Sequence, residues 1–284
     1  MNLENLLTLE NLSKQFNIGS FELKNINLNL KANQIVGLIG ENGSGKSTLL
    51  NTIVSRYVKT SGNIYFFNQK INFSKKDYKD KIGVVFDTIS LPNGLNVIQL
   101  EKILSNIFKN WESKLFFEYI NMFDLPETNF ISNFSRGMSM KLSIAVALSH
   151  KPRILFLDEA TAGLDISSRK KINSILKKYV SEGNSILLTS HIVDDIEEMA
   201  DKLIFLKKGE ILLEIEKNVL LKEYSIIKTS DKNYINKEKE NILAYSKNSD
   251  TYEVLIRSNI NTLEESKQSI DDITEIIMNQ QNFG

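Results

Sequence analysis

The chain has 284 residues, 42% of them hydrophobic, with 35 basic and 35 acidic side chains that cancel to a formal net charge of zero. That length can bury the core of one large α/β domain plus an appendage, and the balanced charge offers no basic footprint for nucleic acid. There is no cysteine and there are only two histidines, which excludes disulfides and cysteine nucleophiles and leaves any metal to hard oxygen ligands.

Met1-Asn2-Leu3-Glu4-Asn5 lacks the charged start and apolar stretch of a signal peptide. No uninterrupted apolar run approaches the roughly 20 residues that cross a bilayer. The expectation is a soluble, cytoplasmic protein unless a partner holds it at a membrane. Leu7, Leu9 and Leu12, then Phe21, Leu23, Ile26, Leu28 and Leu30, nearly alternate and predict antiparallel strands with one buried face. The phase slips between Leu23 and Ile26, as at a bulge. Ile35-Val36-Gly37-Leu38-Ile39 is a continuous apolar run, expected of a strand buried on both faces of a parallel sheet. Ser61-Gly62 predicts a turn before a strand over 64–67, and 82–86 reads as another buried strand.

From about 96 to 150 the period becomes helical. Val97, Leu100, Ile103, Leu104 and Ile107 form one stripe, a second helix spans 112–123, and a third runs from Ser135 to His150. His150 sits at a helix C-terminus, a structural position. Trp111, Phe116, Phe117, Tyr119 and Phe123 crowd this insert and read mainly as core. Strand and helix then alternate: a strand over 153–157, a helix with Ile172, Ile175, Leu176 and Tyr179, a strand over 186–189, and a helix with Ile192, Ile196 and Met199. A hairpin follows around Lys207-Lys208-Gly209-Glu210. The Lys75-Lys76 and Lys207-Lys208 pairs read as solvated surface. Residues 218–284 are rich in Lys, Glu, Asn and Ser, and predict short strands and a final helix with Ile270, Ile273 and Ile277. Helices between parallel strands place a ligand site at the strand C-termini.

Two constellations stand at such termini. Gly40-Glu41-Asn42-Gly43-Ser44-Gly45-Lys46-Ser47, with Thr48 behind it, fits G-x-x-x-x-G-K-[ST] between a predicted strand and a helix. Glycines let backbone amides curl around an anion, and the helix N-terminus adds positive potential. Lys46 is placed to reach the β- and γ-phosphates of a bound nucleotide, and Ser47 to offer its hydroxyl to Mg²⁺. The apolar strand over 153–157 ends in Asp158 and Glu159. Asp158 is placed to hold the metal, through water, and Glu159 to polarise an attacking water.

Phe134-Ser135-Arg136-Gly137-Met138, one helix and one strand before Asp158, resembles the signature motif of ABC ATPases. Ala162-Gly163-Leu164-Asp165 resembles the family's D-loop, His191 its switch histidine, and Phe16 the aromatic that stacks on adenine. The motif order matches from about Leu6 to Ile215. The resemblance implies an α/β P-loop NTPase: a RecA-like parallel sheet, an antiparallel β layer and a helical subdomain inserted at about 88–150. Residues 1–217 would form the nucleotide-binding domain and 218–284 a small α+β accessory region. It implies ATP hydrolysis by a homodimer or heterodimer of two such subunits. Each ATP would be held by Lys46 of one and capped by Ser135, Arg136, Gly137 and Met138 of the other, with Asp165 nearby. Closing would drive export, of a peptide, drug or lipid-linked molecule, through a separate membrane subunit that holds the dimer at the inner face of the cell membrane. Two positions depart from the family pattern. Asp87 stands where a glutamine usually contacts Mg²⁺, which an aspartate can still do, and Ala160 replaces the usual proline after the glutamate. The alternatives are a non-transport ABC ATPase acting on DNA or ribosomes, opposed by the neutral charge, and a weakly hydrolysing regulator, which Asp87 leaves open.

Overall fold

The computed structural model describes residues 4–16, 21–71, 78–87, 91–161, 163–190, 193–258 and 269–281. Strands β1 (Asn5–Gln15) and β2 (Glu22–Lys31) pair antiparallel, Leu7 opposite Leu30 and Leu12 opposite Ile26. The predicted slip is present: Lys14 faces Leu23, and Asn25 absorbs the extra length at a φ of 48° while its amide donates to Ser13 Oγ at 3.0 Å. Strand β3 (Ile35–Ile39) is buried along its whole length and leads into α1 (Lys46–Ile53). Strand β4 (Ser61–Phe66) pairs with β1 and with β5 (Gln69–Lys70). Ser61-Gly62 therefore begins the strand instead of preceding it. Gly62 takes a φ of 80°, and a Cβ there would meet Asn11 O at 2.2 Å.

Strand β6 (Ile82–Val85) is followed by helices α2 (Val97–Ile107), α3 (Ser113–Met122) and α4 (Arg136–Ser149). Strand β7 (Ile154–Asp158), α5 (Ile166–Ser181), β8 (Ser185–Thr189), α6 (Val193–Met199), β9 (Lys202–Lys207) and β10 (Glu210–Glu216) complete this part. The main sheet has the order β10-β9-β3-β8-β7-β6, parallel except for β10. Its residues alternate between two cores. Val36, Phe156 and Leu187 face the antiparallel layer and α1, while Ile35, Leu155 and Ile186 face the helices. No helix among the described residues is long and apolar enough to cross a membrane.

Beyond Glu216 come α7 (Lys217–Glu223), β11 (Tyr224–Thr229), α8 (Lys232–Lys237), β12 (Ile242–Asn248), β13 (Thr251–Arg257) and α9 (Ile270–Met278). The three strands form a separate sheet, β11-β13-β12. Helix α9 presents Ile270, Ile273, Ile276 and Ile277 to the core shared with Ile196 of α6. Lys207 is not the solvated lysine expected from its sequence. Its ammonium is part-buried and donates to the Met278 carbonyl at the end of α9, a free acceptor that attracts a cation. Phe116 and Phe123 are buried, and Trp111, Phe117 and Tyr119 pack against the same core, in keeping with their crowding.

Candidate functional site

The loop between β3 and α1 curls because Gly43 and Gly45 take φ values of 81° and 113°, open to glycine at little cost. Gly45 is doubly constrained, since a Cβ would sit 2.4 Å from Phe21 Cζ. Lys46 opens the helix, and its buried ammonium donates to Gly40 O at 2.5 Å and Glu41 O at 3.2 Å. Burial lowers its pKa below the ordinary 10.5, with Glu159 and Asp158 pulling the other way. The Ser44 hydroxyl is buried with no hydrogen-bond partner among the described residues. A buried cation held by carbonyls, an orphaned hydroxyl and the start of a helix together fit a chain of phosphates.

Parallel pairing of β7 with β8 sets Asp158 beside Thr189. Thr189 Oγ1 donates to Asp158 Oδ1 at 2.6 Å, and Ser47 Oγ donates to the same oxygen at 3.2 Å. A hydroxyl and a carboxylate beside a phosphate cradle suit Mg²⁺, which takes one or two protein oxygens and fills its octahedron with phosphate and water. Glu159 follows at a φ of 54°, a left-handed conformation that costs a non-glycine residue about 1 kcal/mol or more. Its amide donates to Thr189 O at 3.2 Å and Thr189 Oγ1 at 3.3 Å.

Lys46, Ser47 and Glu159 open onto one cavity of about 620 Å³, with Ser44, Asp158 and Thr189 set behind its lining. Phe16, Glu41, Asn42, Gly43, Gly45, Lys46, Ser47, Thr48, Asp87, Arg136 and Glu159 line it. The Phe16 ring meets Tyr57 edge-on at 5.3 Å between centroids, with the Lys14 ammonium 4.7 Å over its face. Asp87 is ion-paired with Arg136. Ser135, Gly137, Met138 and Asp165 do not line the cavity. Ser135 caps α4, its Oγ accepting from Met138 N at 3.2 Å. Asp165 caps α5. Hydrogen bonds from the Ser168 hydroxyl and amide hold its carboxyl below the usual range. Lys75, Lys76, Ala162 and His191 lie outside the described residues.

Sequence reasoning missed Phe21 and Thr189. Phe21 reads as a strand residue, and only folding brings it against Gly45. Thr189 ends an apolar strand just as Asp158 does. A polar residue at that end of a parallel strand is the signal that could have found it.

A protein-family model described as ABC transporter matches residues 23–162. The chain is 32% identical over 213 residues to the lantibiotic transport ATP-binding protein SrtF of Streptococcus pyogenes, across 74% of this chain and 91% of that one. It is 31% identical over 219 residues to the methionine import ATP-binding protein MetN of Francisella tularensis, across 72% of this chain and 63% of that one. Among solved structures it resembles the dimeric post-hydrolysis state of the ATP-binding cassette MJ0796 bound to ADP and Pi. That match has a TM-score of 0.67 at 29% identity, covering 74% of this chain and 98% of that one.

Proposed function

The chain belongs to the ABC transporter family as an ATP-binding, ATP-hydrolysing subunit, and from that premise we propose that two such subunits, alike or different, close head to tail around two molecules of MgATP to drive export through a separate membrane subunit. The relatives are transport proteins, so the non-transport alternative is set aside. One observation carries the proposal: the cavity is half a site. Lys46, Ser47 and Glu159 gather around it, with Asp158 behind Ser47, while of the residues at the start of α4 Arg136 reaches it, paired with Asp87, and Ser135, Gly137 and Met138 stand off it. A helix N-terminus facing outward suits an anion carried by a second cassette.

In this mechanism Phe16 stacks on the adenine and the loop amides wrap the phosphates. Lys46 neutralises the β- and γ-oxygens, and Glu159 orients the attacking water and takes its proton. Ser47, Asp158 and Asp87 would hold Mg²⁺, which would supply charge neutralisation at the phosphates. His191 and the partner cassette's start of α4 complete the γ-phosphate shell. ATP binds the closed pair better than the open one, so its hydrolysis reopens the pair.

We assign residues 1–217 to the cassette, 88–150 to its helical insert and 218–284 to an accessory region, and place the subunit at the inner face of the cell membrane. Exposed Ile103 and Ile107 on α2 suit contact with the membrane subunit. The proposed cargo is a peptide, drug or lipid-linked molecule, the likeness to a lantibiotic transport protein supporting the first, and the pair is a homodimer or a heterodimer with a second ATP-binding subunit.

Glu159→Gln tests the reading. The variant should bind MgATP, lose roughly 100-fold or more in phosphate release, and elute as a dimer with MgATP. A variant that stays monomeric at saturating MgATP, with its membrane subunit present, rejects the closed pair.

A further inference from the structure

Outside the cavity, a buried carboxylate fastens the elements that carry the reactive groups. Asp195 on α6 is 3% exposed. Its Oδ2 accepts a hydrogen bond from Thr161 Oγ1 at 2.6 Å, and its Oδ1 pairs with Arg169 Nη1 at 3.3 Å. Thr161 lies two residues beyond Glu159, and Arg169 lies in the first turn of α5. The same helices are laced twice more. Asn173 Nδ2 donates to Glu198 at 3.1 Å, and Lys177 pairs with Glu198 at 3.4 Å. Arg169, Asn173 and Lys177 recur every four residues and so share one face of α5. Helices α5 and α6 thus form one polar-laced unit, and the turn after β7 is tied to it at Asp195.

We propose that Asp195 is a positioning residue for Glu159: through Thr161 it holds the turn that aims the carboxylate, and through Arg169 it holds α5 in the same setting. The catalytic consequence rests on the ATPase reading above; the structural tie does not. Glu159 sits at a φ of 54°, and such backbone persists only where its surroundings over-determine it. Residue 160 is alanine, so no proline stiffens the turn. Among its restraints are the bonds of its amide to Thr189 on one side and the Thr161–Asp195 bond on the other. A short hydrogen bond to a buried carboxylate is among the stronger restraints a side chain can impose. Asp195 also lies four residues beyond His191, so a displacement of α6 at its start reaches Thr161 through a single side chain.

The test uses the full chain with its membrane subunit and compares Thr161→Val, which keeps the shape and removes the donor, with Thr161→Ser, which keeps the donor. Thr161→Val should lower kcat by about 10- to 100-fold, the scale of a misplacement near 1 Å. KM for ATP should stay near that of the parent, while Tm falls modestly because a buried carboxylate loses a donor. Thr161→Ser should restore most of the rate. Hydrogen exchange in the nucleotide-free chain supplies a readout independent of turnover: amides over 159–165 should exchange faster in Thr161→Val than in the parent or Thr161→Ser. Parental kcat and parental exchange in Thr161→Val would overturn the proposal, as would a serine variant as impaired as the valine. If the parent itself releases no phosphate, the ATPase reading fails, and the exchange comparison decides the tie alone.

Discussion

Lys46 is buried at a cost that its proposed contact with phosphate would offset. Its ammonium is buried against two carbonyls, and burial lowers its pKa from 10.5. A lysine whose folded pKa is depressed binds its proton less tightly folded than unfolded, so stability rises as pH climbs from the folded value toward 10.5. At neutral pH the charged form therefore costs the nucleotide-free chain. Lys46→Met should raise Tm by roughly 2–4 °C, the equivalent of about 1 kcal/mol at this size, while abolishing ATP binding. Calorimetry without nucleotide, paired with a binding titration, checks both halves. Glu159 also carries a local cost in its left-handed backbone, which the proposed role of its carboxylate would offset.

At the scale of elements, two contacts span β6 and α4. Arg136, at the start of α4, pairs with Asp87 just past β6, but the side chains are 58% and 44% exposed. Such a pair contributes at most about 1 kcal/mol, too little to hold a helix in place. Its importance is that both partners line the same cavity as Lys46 and Glu159. The second contact is buried. His150, at the end of α4, places Nε2 3.0 Å from Ile82 O and Nδ1 3.3 Å from Val146 O, and stacks on Phe108 at 4.3 Å. Burial pushes its pKa below 6.5, opposed by those carbonyls and by Asp80. A histidine with a depressed folded pKa is held neutral in the fold. Its contribution is therefore intact above 6.5 and is lost as pH falls below that value toward the folded one. Urea unfolding of the parent and of His150→Gln between pH 7.5 and 5 should show a steeper acid loss in the parent, whatever the offset between the two curves.

For the whole molecule, the accessory region is joined to the cassette through a shared core, not a thin linker. Ile270, Ile273, Ile276 and Ile277 of α9, with Leu220, Ala244 and Leu255, belong to the same apolar cluster as Leu155, Ile186 and Ile196. Removing residues 218–284 would uncover that surface on α6 and β9. Truncating even one large aliphatic side chain within such a core costs about 2–5 kcal/mol. The 1–217 fragment should therefore have a lower Tm and aggregate more readily than the full chain, as light scattering during a thermal ramp would report. A fragment as stable and soluble as the parent would make the accessory region an independent module.

Much of this was legible in the chain itself. The glycine loop before Lys46, the two carboxylates at the end of β7, the helix beginning at Ser135 and the bulge near Asn25 all follow from local spacing, because strand period, glycine φ and helix period are short-range physics. The partners were not legible. Thr189 beside Asp158, Arg136 beside Asp87 and Asp195 beneath Thr161 join residues 31, 49 and 34 positions apart. Those pairings depend on strand order and register, which periodicity does not encode. The burial of Lys207 has the same origin, since its carbonyl partner lies 71 residues away. Sequence alone determined which chemical groups this protein carries and at which strand ends they stand. Only the tertiary structure decided which of them meet, because the free energy of burying a side chain depends on the neighbours that the fold brings to it.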